Sequence, residues 1–181
     1  MTSCIDQFSA MTPEQARIFM APHGKQEVRG LLARLVGDRS VLDIGCGKGM
    51  QVAEFFDPNR YIGIDCSPAL IDLAREDNPG FEFRVADARE LEGHWPCGII
   101  KAVLENLTQP EAVEVYDAAR RLCDVLYIAW ATAPGASPKV RTYDGELGTM
   151  QQNRHLRSVF KGPATVIKAP HPFTIWRVDG I

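Results

Sequence analysis

The stretch VLDIGCGKGM, residues 41–50, sets three glycines into five residues directly after a short apolar run. A β-branched run followed by Gly45, Gly47 and Gly49 reads as a strand turning sharply into a helix, its backbone brought close to a ligand or to another segment. The spacing is Gly-x-Gly-x-Gly, not the Gly-x-Gly-x-x-Gly of the dinucleotide fingerprint. A phosphate loop fails as well, because Lys48 is followed by Gly49 where such a loop places Ser or Thr. Asp43 puts a negative charge at the mouth of the turn, which repels a pyrophosphate and suits a cationic group. A partly cationic small ligand and a close-packed turn both stay open.

Working outward, short β-branched runs alternate with helical periods. Upstream, Thr12, Pro13 and Gln15 form a capping box with proline at the first helical position. A second helix is predicted over about 25–36, with Val28, Leu31, Leu32 and Leu35 on one face and Gly37 as its stop. Strands are predicted at 41–44, 61–65, 81–85, 97–104 and 124–132, and the glycine stretch should lead into a helix running through Phe56. Ser67-Pro68 should cap a helix to about Asp77, and Thr108 with Glu111 another to about Leu122. A turn-rich loop follows at 133–138, then a helix over about 147–160. Two last β-like runs, 164–169 and 173–178, are joined by three residues, too few for a parallel crossover. The pattern predicts an α/β, doubly wound, Rossmann-like sheet of seven strands, mostly parallel with an antiparallel last strand and helices on both faces.

The 181 residues read as a single domain over 1–181, with an apolar fraction of 45% and a charged fraction of 24% typical of a globular chain. A net charge of -3 gives no reason to expect a nucleic acid, despite basic residues thickening toward the C-terminus. Five cysteines form no Cys-x-x-Cys pair, and no signal-like start or long apolar run is visible, so a reducing, cytoplasmic setting is expected. The four histidines lack metal spacing, and no metal is expected.

In an open sheet of this kind ligands bind outside the carboxyl ends of the strands. Asp43 and the glycines follow the first predicted strand, Asp65 ends the second, Asp87 follows the third, and Glu105-Asn106 follow the fourth. Asp65 stands where a carboxylate can accept from both hydroxyls of a ribose. Asp87 is placed to accept from the exocyclic amine of a base.

Taken together, VLDIGCGKG, IGIDCSP, VADAREL and KAVLENL resemble, in order and spacing, the successive motifs of class I S-adenosylmethionine-dependent methyltransferases. The resemblance covers roughly residues 41–132. It implies that Asp43, Gly45, Cys46, Gly47 and Gly49 hold the methionine part of S-adenosyl-L-methionine, with Asp43 facing its ammonium. It further implies that Asp65 binds the ribose, Cys66 packs on the adenine, Asp87 takes the adenine amine, Ala88 offers its N–H to a ring nitrogen, and the backbone near Ala102 and Val103 lines the methionyl arm. S-adenosyl-L-homocysteine is the product so implied.

VLENL also lacks the Pro-Pro-aromatic stretch of DNA amino-methyltransferases and resembles the VLEHL of small-molecule enzymes, with Asn106 where histidine is frequent. An amide such as that of Asn106 orients but cannot take a proton, so proton removal falls to Glu105, to another residue, or to none where the acceptor is already nucleophilic. Segment 1–37 is expected to lid the site, with Phe8, Phe19, His23 and Trp130 walling the acceptor pocket. His155 could face the substrate, and Lys25 or Arg29 could meet the methionyl carboxylate. Rival expectations are a lyase, cyclase or hydrolase acting on the sulfonium, a non-catalytic cofactor-binding subunit, and a tRNA or protein methyltransferase.

Overall fold

Local capping signals give way to long-range pairing in the computed structural model of the chain. It describes residues 3–19, 26–49, 55–131, 139–141, 147–149, 164–169 and 173–179. Two short helices open it, α1 (Cys4–Ser9) and α2 (Pro13–Ile18), followed by α3 (Gln26–Val36). The Thr12 box is formed in both directions: Gln15 N–H donates to the Thr12 hydroxyl and Thr12 N–H to the Gln15 side chain. Helix α3 ends where predicted, with Gly37 at φ +61° donating to the Ala33 carbonyl.

Strand β1 (Val41–Ile44) is buried along its whole length. It is followed by β2 (Tyr61–Asp65), α4 (Pro68–Asp77) and β3 (Glu82–Val85). Then come β4 (Trp95–Lys101), α5 (Gln109–Leu122) and β5 (Cys123–Ala131). The chain closes with β6 (Lys139–Arg141), β7 (Leu147–Thr149), β8 (Ala164–Lys168) and β9 (Phe173–Asp179).

Seven strands form one sheet in the order β3-β2-β1-β4-β5-β9-β8. Strands β1 to β5 run parallel, whereas β9 is antiparallel to both β5 and β8. The antiparallel strand is therefore last in sequence but interior in the sheet. Alternate residues of the central strands feed two cores. Leu42, Ile64 and Ile100 pack with Tyr116 and Leu122 of α5. Val41, Tyr61 and Ile99 pack on the opposite side with Val28 and Leu32 of α3 and Ile71 of α4. This alternation is what a strand buried on both faces requires.

Three expectations need correction. Strand β4 stops at Lys101 and does not reach Leu104; residues Leu104–Asn106 form a 3-10 turn instead. The break falls where Ala102 adopts φ +56°, a left-handed conformation no strand can contain. Leu147–Thr149 pairs with Lys139–Arg141 as a small hairpin, so a helix does not begin at 147; the rest of that predicted helix lies outside the described residues. Residues 55–56 lie in a turn and bend, so the helix after the glycines does not reach Phe56, and 50–54 lie outside the described residues. The 133–138 loop lies outside them as well.

Among the described residues no helix is long and apolar enough to cross a membrane. All five cysteines are free thiols.

Candidate functional site

The order of strands reverses between β1 and β4: from β1 the sheet grows through β2 to β3, and from β4 through β5. The carboxyl ends of these two adjacent strands bound a crevice, the usual place for a ligand in an open α/β sheet. A cavity of about 270 Å³ opens there.

The glycine turn forms one wall. Gly45 and Cys46 both donate their N–H groups to the Ile64 carbonyl, which folds the turn back over β2. Gly45 has φ +72°, and a Cβ there would stand 2.4 Å from Cγ2 of Val103 on the opposite lip. No side chain fits. Gly47, at φ +56°, has open space where its Cβ would project, and the glycine borders the cavity. Cys46 lines the cavity too, but Gly49 does not; it packs on the Phe83 ring and Asn78.

Asp43 lies on the same face of β1 as Val41 and is 3% exposed, yet it borders the cavity. The Tyr61 hydroxyl donates to its Oδ2 at 2.7 Å. Burial pushes the Asp43 carboxyl up to about 6, against the opposing pull of Tyr61 and of Lys101. A cationic group arriving here would meet a carboxylate already stripped of water.

Asp65, at the end of β2, accepts from Gly47 N–H at 3.0 Å through one oxygen and from Ser67 N–H at 2.9 Å through the other. It thus ties the glycine turn to the start of α4 while facing the cavity. Burial raises its carboxyl above the ordinary value although both backbone bonds act the other way. Cys66 follows it on the cavity wall, with its thiol pushed up to about 11 by burial and by Asp65. It is not a reactive thiolate at neutral pH.

Asp87 and Ala88 line the far end of the cavity. The Asp87 carboxylate is clamped by Arg89, whose Nη2 donates at 2.6 Å and whose Nε donates to both oxygens. Arg89 in turn donates to Glu114 at 2.9 Å. Burial alone would raise Asp87, but Arg89 holds it below the usual carboxylate range. An adenine amine at Asp87 therefore competes with a guanidinium, a partner that sequence reading did not anticipate.

The residues named as candidate chemistry divide. Val103 and Asn106 line the cavity, but Glu105 is not on its described wall. It is 5% exposed and set behind the wall, and burial pushes it up to about 7. The residue that sequence reading missed is Lys101, the last of β4. It is 8% exposed and on the cavity wall, with Arg29 of α3 on the same wall. Burial, then Arg29, lower its ammonium to about 8, while Asp43 and Glu105 pull the other way. A lysine closing an apolar strand reads as surface in sequence, yet here it is buried with Arg29, Asp43 and Glu105 around it.

The N-terminal helices cover the cavity. Phe8 and Phe19 stand on its wall and pack edge to face at 5.8 Å. Among the polar contacts that hold this cover, Ile5 N–H donates to Glu111, the Cys66 thiol donates to the Ile5 carbonyl, and Lys48 Nζ donates to the Arg17 carbonyl at 2.9 Å. His23, Lys25 and His155 lie outside the described residues, as does the side chain of Trp130. Among the described residues no cluster of His, Cys, Asp or Glu is arranged to hold a metal ion.

Comparison with known proteins agrees with this geometry. Residues 41–125 match the family profile described as a methyltransferase domain. The trans-aconitate 2-methyltransferase of Methylobacterium radiotolerans is 41% identical over 63 residues, which are 32% of this chain and 24% of that protein. The chain thus matches about a quarter of the length of this curated relative. Among solved structures, the DhpI–SAH complex superposes with a TM-score of 0.64 at 17% identity, covering 97% of this chain and 95% of that one. The magnesium protoporphyrin IX methyltransferase of Synechocystis PCC 6803 with bound SAM gives 0.63 at 14%, covering 98% and 95%. At such identities the superpositions speak for the fold, and the profile match spans the glycine turn and all four strand ends around the cavity. Residues 41–125 thus resemble a methyltransferase domain, and the chain shares the fold of these methyltransferase structures.

Proposed function

We propose that this chain transfers a methyl group from S-adenosylmethionine to a small-molecule acceptor. The observation that carries the reading is the cavity itself. Its glycine wall leaves open space at Gly47, and two buried or half-buried carboxylates, Asp43 and Asp65, face it. Those features fit a ligand with an ammonium at one end and ribose hydroxyls further on. When bound, the cofactor supplies a methyl group already made electrophilic by its sulfonium.

The chain's own contribution is then binding, alignment and exclusion of water. Asp43 holds the ammonium and the Gly45–Gly49 turn the amino-acid arm. Asp65 accepts from the ribose, while Cys66, Asp87 and Ala88 bound the base. Phe8 and Phe19 stand on the cavity wall, and a small acceptor seated against them would be aligned in line with the sulfur–methyl bond. The segment 1–37 serves as this cover within one domain.

Where the acceptor atom carries a proton, Glu105 is poorly placed to take it. Glu105 does not reach the cavity, and Asp65 and Asp87 are engaged by Gly47, Ser67 and Arg89.

The test is incubation with methyl-labelled S-adenosylmethionine and a panel of small acceptors bearing carboxylate, hydroxyl or amine groups. Label appearing in an acceptor, with S-adenosylhomocysteine in equal amount, supports the proposal. Methylthioadenosine formed without any acceptor contradicts it, and binding without turnover across the panel would favour a non-catalytic subunit.

A further inference from the structure

The bend between β4 and the 3-10 turn holds the one described residue other than glycine with a left-handed backbone: Ala102, φ +56°. For an L-residue with a Cβ this conformation is strained, and alanine has no side-chain group with which to offset it. Two bonds hold it. Ala102 N–H donates to the Ala129 carbonyl of β5 at 3.1 Å, and the side-chain amide of Asn106 donates to the Ala102 carbonyl at 2.8 Å. The Asn106 N–H also donates to the Val103 carbonyl at 2.8 Å. The left-handed step has a clear consequence, for it aims Val103 at the glycine turn, into the space that a Cβ on Gly45 would need.

We infer that Asn106 is a positioning residue, acting through the Ala102 carbonyl to fix the Val103 lip against Gly45, and not through contact with the methyl acceptor. The inference rests on the cofactor reading above. A donor is required at this place because a carbonyl turned by a left-handed residue leaves the sheet ladder and must find another partner. An asparagine amide supplies a donor at any pH near neutrality, with no charge to bury. Without it Ala102 can relax toward an ordinary conformation, and Val103 then withdraws from the amino-acid end of the cavity, the end marked by Gly45 and Asp43. The far end, at Asp65 and Asp87, is built by other strands and is left in place.

The experiment compares wild type, Asn106→Ala and the double variant Asn106→Ala/Ala102→Gly by calorimetric titration. The probes are S-adenosylhomocysteine and methylthioadenosine, which lacks the amino-acid arm. The expected result is that Asn106→Ala weakens S-adenosylhomocysteine binding about tenfold, equal to roughly 1.4 kcal/mol, and methylthioadenosine binding less than twofold. Adding Ala102→Gly should recover most of the loss, because glycine adopts the left-handed conformation without the clamp. Equal weakening of both ligands, unchanged binding in Asn106→Ala, or a double variant no better than the single one would overturn the inference. If Asn106→Ala does not fold, a folded double variant with tight binding supports it and an unfolded one overturns it. Wild type that binds neither ligand overturns the cofactor reading and this inference with it.

Discussion

Tyr61, the first residue of β2, donates its hydroxyl to Asp43 of the neighbouring strand at 2.7 Å, both residues being buried. The pair explains how a carboxylate survives 3% exposed within the sheet. The ring is fixed by Phe56, Phe81 and Phe83, each with its centroid within 6 Å. Removing the hydroxyl alone leaves this packing and takes a donor from a buried acid. Tyr61→Phe should therefore lower the stability by about 1.5–3 kcal/mol, as for loss of a hydrogen bond to a charged group. Urea unfolding at pH 7 reads this directly, and an unchanged midpoint would mean that Asp43 is satisfied otherwise.

Gly45 and Gly47 make a second comparison, because both have positive φ but different surroundings. At Gly47 an added methyl meets nothing, so Gly47→Ala should cost only backbone strain, about 1–2 kcal/mol. At Gly45 the methyl collides with Val103, so Gly45→Ala must displace the lip as well. In unfolding measurements Gly45→Ala should be the more destabilised of the two. Pairing it with Val103→Ala should return part of the difference, and no return would show that the collision is not the cause.

Glu105 gives a pH dependence of known sign. Its folded value, about 7, lies above the ordinary 4.5, because burial favours the protonated form. The stability tied to it is present in full below about 4.5 and is lost as the pH rises through 7. Glu105→Gln removes this loss, since glutamine stays neutral. Relative to wild type the variant should gain stability between pH 5 and pH 7.5. Urea midpoints at the two pH values check it; a constant difference would mean that Glu105 titrates normally. Asp43 titrates with the same sign, but it is common to both proteins and cancels in the comparison.

Much of this was legible because the signals were local. The boxes at Thr12 and Thr108, the proline at the start of α4 and the stop at Gly37 need only three or four neighbouring residues, and the structure has each of them. Asp43, Asp65 and Asp87 border one crevice, because strand ends in an open sheet converge there. What stayed hidden depended on distant partners. The place of β9 between β5 and β8 is set by ladder pairing across the chain, and nothing in 173–178 encodes it. The end of β4 at Lys101 rests on a left-handed alanine, a residue that carries no such signal. The same is true of Lys101, buried among Arg29, Asp43 and Glu105 from three separate segments, and of Arg89, which reads as a surface charge and is a clamp on Asp87.

The central claim is that the crevice between β1 and β4 is a site for S-adenosylmethionine. Calorimetric titration of wild type and Asp65→Ala with S-adenosylhomocysteine tests it most directly. Asp65 is chosen because it joins Gly47, Ser67 and the cavity through one carboxylate. The account predicts one site per chain in wild type and a loss of at least tenfold in affinity in the variant. Absence of binding to wild type, or equal affinity in a folded Asp65→Ala protein, would contradict it.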